Sequence, residues 1–450
     1  MPRYGEQHTP CAKLYDALRG WNGDSDKVTA ERPFDVVVIG GGPAGLAAAA
    51  CAAECGARTA IVDDNPRLGG QIWRASIEGP TNGDAKTWQA RVLRSGVQVM
   101  AGVQIVDCPE PGLIIGESES GSQGIRYSRL VLATGARELL LPFPGWTLPN
   151  VCGAGGLQSL AKSGLNLRGK RVAVAGTGPL LLAVASYLRQ HGAEIVLIAE
   201  QTSLFKLATF TVKLCSSSNK LRQALTLKRE LSGIPLRTSC WPVAARGTET
   251  FQEVEFRGTR GKFTIACDYL ACGFGLVPNL ELPRLLGCDV RNGFVEVDAR
   301  QETSVKGVHC AGEPTGIGGV DAAVCEGQIA GLAAAGCPEV EEGLSKELRH
   351  WKRFEEALAS TFALRPELRE LCDANTVVCR CEDVVYGRVH GMSNWREAKL
   401  QTRCGMGACQ GRTCGASTEF LFDWKTVHTR PPAFPTRVGT LIAGHASTEE

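Results

Sequence analysis

An α/β fold class is predicted by three features of this 450-residue sequence. Residues 34–63 follow the order of a β-rich run, a glycine-rich turn, a helical stretch, a second β-rich run and an acid. Residues 169–200 repeat that order, which is typical of a parallel sheet with helices on its faces. A cysteine-rich segment near the C-terminus lies apart from both. The sequence therefore predicts two Rossmann-like dinucleotide-binding domains and a small additional domain.

The composition is that of a globular protein without nucleic-acid-binding or membrane-spanning character. Hydrophobic residues make up 44% of the chain and charged residues 21%, and the length predicts about two to four domains. A net charge of +2 provides no basic field for a nucleic acid. The longest apolar stretches are far shorter than the roughly 20 residues that cross a bilayer. Residues 1–33 contain no apolar signal core, so we expect a cytoplasmic protein that meets a membrane only through a partner.

The first glycine-rich turn, in the stretch FDVVVIGGGPAG, has the residues that a dinucleotide pyrophosphate needs. We expect Gly40 to form the tight turn, Gly42 to let the backbone approach the phosphates, and Gly45 to let the helix pack closely on the strand. Asp63 follows Gly45 by 18 residues, where its carboxylate can accept a hydrogen bond from a ribose hydroxyl. A turn that simply requires glycine is the alternative, but the complete order of elements favours dinucleotide binding.

The second glycine-rich turn is incomplete. Gly176 and Gly178 occupy its first two glycine positions, but Leu181 occupies the third, where a side chain should push the helix away from the strand. Glu200 ends the second strand, so a nucleotide bound here would be NAD rather than NADP. We favour a fold that is retained without a bound nicotinamide, and NAD binding stays the alternative.

Four cysteines near the C-terminus have a spacing that favours a metal centre: Cys379, Cys381, Cys409 and Cys414. Sets of four thiolates hold iron–sulfur clusters, whereas zinc sites usually pair their ligands as C-x2-4-C rather than C-x-C. Disulfides are the other alternative, but a chain that is not exported keeps its thiols reduced. We expect a [2Fe-2S] cluster. Cys404, in the same segment, is expected to be a spare thiol beside it, with a substitute ligand as the alternative.

The remaining cysteines provide no obvious redox pair. No C-x-x-C motif occurs in residues 1–375, which disfavours a thiol–disulfide reductase. Cys51 and Cys55 lie one helical turn apart after the first glycine-rich turn, and we expect both to pack as small apolar residues. Cys152, at the entry to the second fold, is expected to be a small loop residue rather than a neighbour of a flavin.

Three further stretches, LGGQIW, LVLATGA and CAGEPTGIGG, resemble landmarks of the flavoprotein family with two dinucleotide folds, which includes thioredoxin reductase-like enzymes. The resemblance implies that the first fold binds FAD and that the late glycine–acid pair touches its ribityl and phosphate region. A glycine there permits close backbone approach, and the helix that follows is aimed at the flavin. The FAD contacts implied by the resemblance are Gly40, Gly42, Gly45, Asp63, Gln71, Thr134, Gly135, Gly312 and Glu313.

The segments VVCRCEDV and TRCGMGACQGRTCG resemble the small helical Bfd-type [2Fe-2S] domain, although such domains usually carry C-x-x-C where this chain has C-x4-C. With GTGPLLLAVA and CGFGLVPNLEL, the layout of residues 34–420 resembles the FAD-linked A-type (alpha) subunit of heteromeric amine and amino-acid dehydrogenases. That group includes opine oxidases, proline and hydroxyproline dehydrogenases, and hydrogen cyanide synthase.

The resemblance implies a division of labour between subunits. A partner flavoprotein of the glycine-oxidase type would oxidise the amine, and this chain would relay the electrons through FAD and the cluster. Further implied components are FMN at a subunit interface and a small third subunit. The sequence shows no His/Asp pair or paired carboxylates suited to deprotonating an amine, so no catalytic residue is assigned. Two alternatives stay open: a stand-alone NAD(P)H-dependent flavin reductase with a [2Fe-2S] cluster, and a non-enzymatic redox-sensing or assembly protein.

The predicted domain boundaries follow these motifs. In chain order, the domains are an N-terminal extension (1–33), a split FAD-binding domain (34–150 and 276–335), an inserted NAD(P)-binding-like domain (151–275), a helical connector (336–372), a Bfd-like cluster domain (373–425) and a tail (426–450).

Overall fold

The computed structural model describes residues 32–73, 83–214, 218–337, 342–425 and 429–446. Most of the predicted N-terminal extension and part of the predicted tail lie outside the described residues. The chain divides into two compact units. Unit 1 comprises Met1–Gly135, Pro278–Trp351 and His428–Glu450, and unit 2 comprises Ala136–Val277 and Lys352–Val427. The finer division into domains stays a prediction.

Strand–helix–strand order holds at residues 34–63 and 171–200, and runs of consecutive strands occur elsewhere in the described chain. The strands are β1 (Phe34–Ile39), β2 (Thr59–Asp63), β3 (Gln98–Ala101), β4 (Gln104–Glu110), β5 (Leu113–Ser118), β6 (Gly121–Leu132), β7 (Ala136–Glu138), β8 (Val151–Gly153), β9 (Arg171–Gly176), β10 (Glu194–Glu200), β11 (Leu236–Thr238), β12 (Trp241–Arg246), β13 (Glu253–Gly258), β14 (Gly261–Ala266), β15 (Tyr269–Gly273), β16 (Leu276–Pro278), β17 (Val290–Arg291), β18 (Phe294–Val295), β19 (Val308–Cys310), β20 (Val377–Cys379) and β21 (Val384–Val385).

The helices are α1 (Pro43–Glu54), α2 (Gly70–Trp73), α3 (Gly83–Arg94), α4 (Ala154–Lys162), α5 (Pro179–Gln190), α6 (Leu204–Leu214), α7 (Ser218–Glu230), α8 (Glu281–Leu285), α9 (Val320–Ala334), α10 (Glu342–Thr361), α11 (Tyr386–Val389), α12 (Trp395–Thr402), α13 (Cys414–Phe422) and α14 (Val438–Ala446), with a 3-10 turn at Pro366–Glu370. Among the residues that the structure describes, no helix combines the length and apolar character needed to cross a membrane.

Unit 1 is built on a sheet with the strand order β3-β2-β1-β6-β5-β4, in which β19 also pairs with β6. The central strand β1 pairs in parallel with β2 and β6. Val36 and Val38 of β1 belong to a core shared with α1 and α9, whereas Val37 belongs to a second core on the other face. The apolar run in β1 is therefore explained by burial on both faces, as is typical of a central parallel strand.

Helices α1 and α9 pack tightly against each other in unit 1. α1 begins after Gly42 with a proline in its first turn, and its alanine-rich sequence suits a helix that is buried on nearly all sides. A Cβ atom on Gly327 or Gly331 of α9 would lie 2.2 Å from a backbone oxygen of α1. Cys51 is buried in this packing, as predicted. The same prediction for Cys55 is wrong: α1 ends at Glu54, and Cys55 just beyond it is exposed.

Unit 2 contains the second dinucleotide fold, with a parallel sheet in the order β11-β10-β9-β15-β8 and an antiparallel sheet in the order β12-β13-β14. Val172 and Val174 of β9 share a core with residues of α5. Ala173 and Ala175 face the other way, into a core that includes aromatic side chains of the antiparallel sheet. Both Rossmann-like folds are present, so the predicted α/β fold class is confirmed.

The cysteine-rich segment of unit 2 forms a small helical region with its own core, which consists of Val378, Cys379, Val384, Val389, Trp395, Ala398, Cys404, Cys414 and Trp424. Asn394 caps the N-terminus of α12, and its side chain accepts a hydrogen bond from the Glu397 N–H at 2.9 Å. The Glu397 carboxylate in turn accepts one from the Ser393 N–H at 2.8 Å. These side chains satisfy backbone donors that the first turn leaves open, and the helix leads directly to Cys404.

Candidate functional site

The turn between β1 and α1 is shaped by three glycines. Gly40 has a φ of 107°, and a Cβ there would lie 2.1 Å from the Ala133 carbonyl oxygen. A Cβ on Gly45 would lie 1.7 Å from the Gly40 oxygen, so only glycine lets α1 pack this close to β1. Gly42 differs, because the nearest atom to a Cβ there would be the Gly70 Cα, 3.9 Å away. The space beside Gly42, at the N-terminus of α1, therefore fits a phosphate group.

Asp63 lies at the end of β2 and reaches back to this turn. Its Oδ2 accepts a hydrogen bond from the Gly41 N–H, and its Oδ1 accepts one from the Asn65 N–H at 2.7 Å. Because both carboxylate oxygens already bind backbone donors, a ribose hydroxyl would have to share Asp63. The next residue, Asp64, is exposed at the same edge and is a second candidate that sequence reasoning missed. The sequence signal for Asp64 is the pair of adjacent acids, Asp63 and Asp64, at the end of β2.

The other predicted flavin contacts lie on three segments of unit 1. A Cβ on Gly70 would lie 2.9 Å from the Gly42 Cα, so α2 and its exposed Gln71 start beside the turn. Thr134 follows the end of β6. The N–H of the residue before it, Ala133, donates a hydrogen bond to the carbonyl of Ile39, the last residue of β1, at 2.8 Å. Gly312 follows β19, and a Cβ there would lie 3.0 Å from the Ala44 Cβ of α1. The structure thus brings these segments together at the carboxyl ends of β1, β6 and β19.

A buried carboxylate holds the late glycine–acid loop in place. Glu326 of α9 is 2% exposed and accepts hydrogen bonds from the Gly312 N–H at 2.8 Å and from the Thr315 hydroxyl at 2.7 Å. The Thr315 hydroxyl also lies 2.9 Å from the Gly312 carbonyl oxygen. Glu326 therefore positions Gly312 and its neighbour Glu313 without being one of the predicted contacts. Sequence reasoning missed it because the contact crosses from a loop to a helix.

The second dinucleotide fold accommodates Leu181 by burying it. Leu181 is 1% exposed and packs with Val174 and Val184. A Cβ on Gly273 of β15 would lie 3.1 Å from a Leu181 methyl carbon, so the absence of a side chain at residue 273 makes room for the leucine. The residue that replaces the third glycine is thus a component of the core of unit 2.

A Leu181→Ala variant is expected to lower the free energy of unfolding of unit 2 by about 2–5 kcal/mol, because removing a fully buried leucine side chain leaves a cavity in the core. Leu180→Ala is the matched control, since Leu180 is 37% exposed and should cost far less. Urea unfolding followed by tryptophan fluorescence measures both. Equal effects of the two substitutions would contradict the assigned packing.

Residues 362–365 of the same unit contact the glycine-rich turn of the second fold and the residue after β10. The Thr177 hydroxyl lies 3.3 Å from the Phe362 carbonyl oxygen. The Gln201 side chain donates to the Ala363 carbonyl at 3.0 Å and accepts from the Arg365 N–H at 3.0 Å. The Phe362 ring lies 3.9 Å from where a Cβ on Gly178 would be. This segment, termed the covering segment, lies where a dinucleotide would meet the glycine-rich turn.

The acid of the second fold is also engaged. Glu200 is 5% exposed and accepts hydrogen bonds from the Gly178 N–H and the Thr202 N–H, each at 2.8 Å. Burial raises the pKa of Glu200, an effect that these hydrogen bonds oppose. As at Asp63, both carboxylate oxygens already bind backbone donors, so a ribose hydroxyl would have to share Glu200 with them.

The cysteine-rich segment contains five thiols, which form a group of three and a pair. The sulfur atoms of Cys379, Cys404 and Cys414 all lie within 4.8 Å of one another and are buried. The Cys381 sulfur is hydrogen-bonded to the thiol and the backbone N–H of Cys409. All five are free of disulfides. Cys404 thus lies in direct contact with two of the predicted ligands, Cys379 and Cys414, whereas the other two, Cys381 and Cys409, form a separate pair outside that group.

The surroundings of Cys379 favour the thiolate that a metal ion requires. Hydrogen bonds with the Cys404 and Cys414 thiols lower the pKa of Cys379 to about 2, and the Gly405 N–H contributes from 3.4 Å. The Cys404 thiol, as the partner in this contact, has its pKa raised to about 12. Backbone N–H groups aimed at sulfur are also the groups that tune an iron–sulfur centre. The same contacts raise the pKa of Cys414, so the electrostatics favour a thiolate at Cys379, and the set of neighbouring sulfur donors is what suits a metal centre.

His309, the histidine nearest the glycine–acid loop, has a structural environment. It is buried in β19, and its Nδ1 lies 3.4 Å from the Arg300 carbonyl oxygen. Burial lowers the pKa of His309, which keeps the imidazole neutral near pH 7. A strand residue with a buried neutral ring explains this position without a catalytic role.

Comparisons with known proteins agree with this architecture. Residues 34–367 match the family described as pyridine nucleotide-disulphide oxidoreductase. The HcnB subunit of hydrogen cyanide synthase from Pseudomonas protegens is 31% identical over 426 residues, which are 84% of this chain and 89% of that protein. The A-type subunit of opine oxidase from Rhizobium meliloti is 30% identical over 459 residues, which are 91% of this chain and 98% of that protein.

Solved structures show the same fold at lower identity. L-proline dehydrogenase from P. horikoshii is 20% identical with a TM-score of 0.63, over 91% of this chain and 79% of that chain. T. acidophilum thioredoxin reductase is 22% identical with a TM-score of 0.53, over 68% of this chain and 99% of that chain.

Proposed function

Because the chain belongs to the pyridine nucleotide-disulphide oxidoreductase family, we propose that it is an electron-transfer subunit of a heteromeric, FAD-dependent amino-acid or opine dehydrogenase. Two relatives that align over most of their length are named as subunits, of hydrogen cyanide synthase and of opine oxidase. The observation that carries the proposal is the covering segment on the second fold. It lies where NAD(P)H would bind, so the electrons are expected to come from another protein.

FAD is the cofactor that the first fold fits. The open space beside Gly42 and the N-terminus of α1 suit its pyrophosphate, and Asp63 or Asp64 suits a ribose hydroxyl. Gln71, Thr134, Gly135, Gly312 and Glu313 complete the proposed contacts. Glu326 would fix the last two by holding their loop. When bound, FAD accepts electron pairs, and an iron–sulfur cluster carries single electrons.

A [2Fe-2S] cluster is the proposed centre in the cysteine-rich segment. Cys379, Cys381, Cys409 and Cys414 are its proposed ligands, and the thiolate character of Cys379 supports this. Cys404 would lie beside the cluster as a thiol that contacts two of the ligands. Iron rather than zinc is favoured by the C-x-C pair and by the flavoprotein fold to which the segment is attached.

The substrate amine is expected to bind another chain. The proposed partner is an amine-oxidising flavoprotein of the glycine-oxidase type, and further components would be an interfacial FMN and a small third subunit. This chain would then be a cytoplasmic subunit whose own residues hold cofactors and exclude nicotinamide. Its substrate specificity would reside in the partner.

Anaerobic affinity purification of the tagged chain from its own cells tests the proposal. We expect a second flavoprotein to co-elute, and the eluate to reduce a dye with one of proline, hydroxyproline, glycine, sarcosine or an opine. The chain purified alone is the control, and it should show no amine-dependent activity. A chain that elutes alone and reduces the dye with NADH would replace this proposal with the stand-alone reductase.

A further inference from the structure

Helices α1 and α9 run side by side in the same direction through unit 1. Gly327 of α9 faces Ala44 of α1, and Gly331 faces Ala48. A step of four residues along one helix therefore corresponds to a step of four residues along the other, in the same direction. With this register the two helices run parallel as far as their C-terminal ends, at Glu54 and Ala334. The N-terminal ends of the same helices adjoin the proposed flavin site, at Gly42 and near Gly312.

Two thiols meet where these helices end. Cys55 is exposed just after α1, and Cys337 is half-buried shortly after α9. Their thiols are hydrogen-bonded to each other, and both are reduced in this structure. The backbone of Cys337 is held on both sides, since its N–H donates to the Leu332 carbonyl at 3.0 Å and its carbonyl accepts from the Arg300 side chain at 2.8 Å. The pair is therefore pre-positioned.

A third cysteine nearby is engaged elsewhere. Cys51 is buried one turn earlier on α1, and its sulfur lies 3.8 Å from Nη2 of Arg91. Arg91 also pairs with Glu54 at 2.6 Å. Among the described residues, Cys51, Cys55 and Cys337 are not a group whose sulfur atoms all fall within 4.8 Å, so the site does not fit a metal ion as the cysteine-rich segment does.

We propose that Cys55 and Cys337 form a reversible disulfide by exchange with low-molecular-weight disulfides. One thiolate attacks the small disulfide, a new S–S bond forms, the old S–S bond breaks, and one small thiol leaves. The second cysteine then attacks the mixed disulfide and releases the second small thiol. The two cysteines lose two electrons and two protons, and the small disulfide gains them as two thiols.

The bond would fasten the C-terminal ends of the two helices that border the flavin site. α1 has 12 residues, so at about 1.5 Å per residue its C-terminal end lies roughly 18 Å from Gly42. The pair is accordingly a stabilising cross-link rather than a disulfide that reacts with the flavin. Burial raises the pKa of Cys55 to about 11, and its neighbours Cys337, Cys51 and Glu54 act in the same direction, so exchange is expected to be slow at neutral pH.

Equilibration of the full-length holoprotein in reduced and oxidised glutathione at defined ratios tests the inference. After the remaining thiols are blocked, non-reducing peptide mapping should yield one peptide pair joined through Cys55 and Cys337. The oxidised protein should unfold about 4 °C or more above the reduced protein. Dithiothreitol should reverse both changes.

Variants make the assignment specific. Cys55→Ser and Cys337→Ser should each abolish the cross-link and the thermal shift, whereas Cys51→Ala should retain both. A glutathione adduct on Cys55 without the cross-link would overturn the proposal, and so would a cross-link through Cys51. FAD content, measured in parallel, identifies any variant that fails to fold. If one of the serine variants does, alkylation of Cys55 alone in the parent chain should block the shift.

Discussion

A Gly42→Ala variant is expected to fold as the parent chain does but to bind FAD at least about tenfold more weakly, a loss of roughly 1.4 kcal/mol or more. The protein itself has room for the added methyl group, since its nearest neighbour would be 3.9 Å away. The φ of −76° at Gly42 is also allowed for alanine. The methyl group would instead occupy the space assigned to the pyrophosphate. Fluorescence titration of the apoprotein with FAD measures the affinity, and thermal unfolding of the apoprotein measures the fold.

Gly45→Ala is expected to behave differently although it lies only three residues away. Its Cβ would lie 1.7 Å from the Gly40 oxygen, so α1 would have to move from β1. We expect both FAD and stability to be lost, the latter by about 3 kcal/mol or more. Gly83→Ala is the matched control, because nothing lies within 4 Å of a Cβ there. For the first variant, an unchanged FAD affinity of Gly42→Ala would contradict the prediction, because the pyrophosphate would then have to bind elsewhere.

Cys414→Ser is the second substitution with a large expected effect, the loss of the metal centre. Cys414 contacts Cys379 and Cys404 in the buried group of sulfurs, and serine is a poor replacement for a thiolate ligand of iron. Iron should fall from about two per chain to below about 0.2, and the EPR signal of the reduced cluster should disappear. FAD content should stay unchanged, because the proposed flavin contacts all belong to unit 1.

Substitutions at the other thiols decide the ligand set. Cys409→Ser should resemble Cys414→Ser, whereas Cys404→Ala should keep both irons and alter only the EPR line shape. Cys240→Ala, a buried cysteine in a different core of unit 2, is the control. Loss of iron in Cys404→Ala together with its retention in Cys409→Ser would assign Cys404 as a ligand. Stoichiometric zinc in the parent chain would exclude the cluster.

The fold class and the family could be predicted because their signals are local in the sequence. The turn at Gly40, Gly42 and Gly45 lies between two strands of one β–α–β unit. Each position requires glycine either because a side chain would clash with the backbone or because it would fill the space for the ligand. The cysteine pairs likewise bracket one short segment. The comparisons confirm both the resemblance to subunits of heteromeric dehydrogenases and the α/β fold class.

Contacts between distant residues could not be predicted in this way. The covering segment reaches Gln201 from more than 160 residues away, and no periodic pattern marks such a contact. The hydrogen bond from the Gly41 N–H to the Asp63 carboxylate and the one from the Gly312 N–H to Glu326 also depend on tertiary packing. Cys55 was mispredicted for a related reason, since the sequence did not mark the end of α1 at the residue before it.

The source of the electrons is the central claim, and anaerobic freeze-quench EPR tests it most directly. The purified complex and the chain alone are each mixed with NADH or with the amine that supports dye reduction. The account predicts a reduced-cluster signal in the complex with the amine, none in the chain alone with the amine, and none with NADH in either. Prompt reduction of the cluster by NADH in the chain alone would contradict it, because the covering segment would then leave a working nicotinamide site.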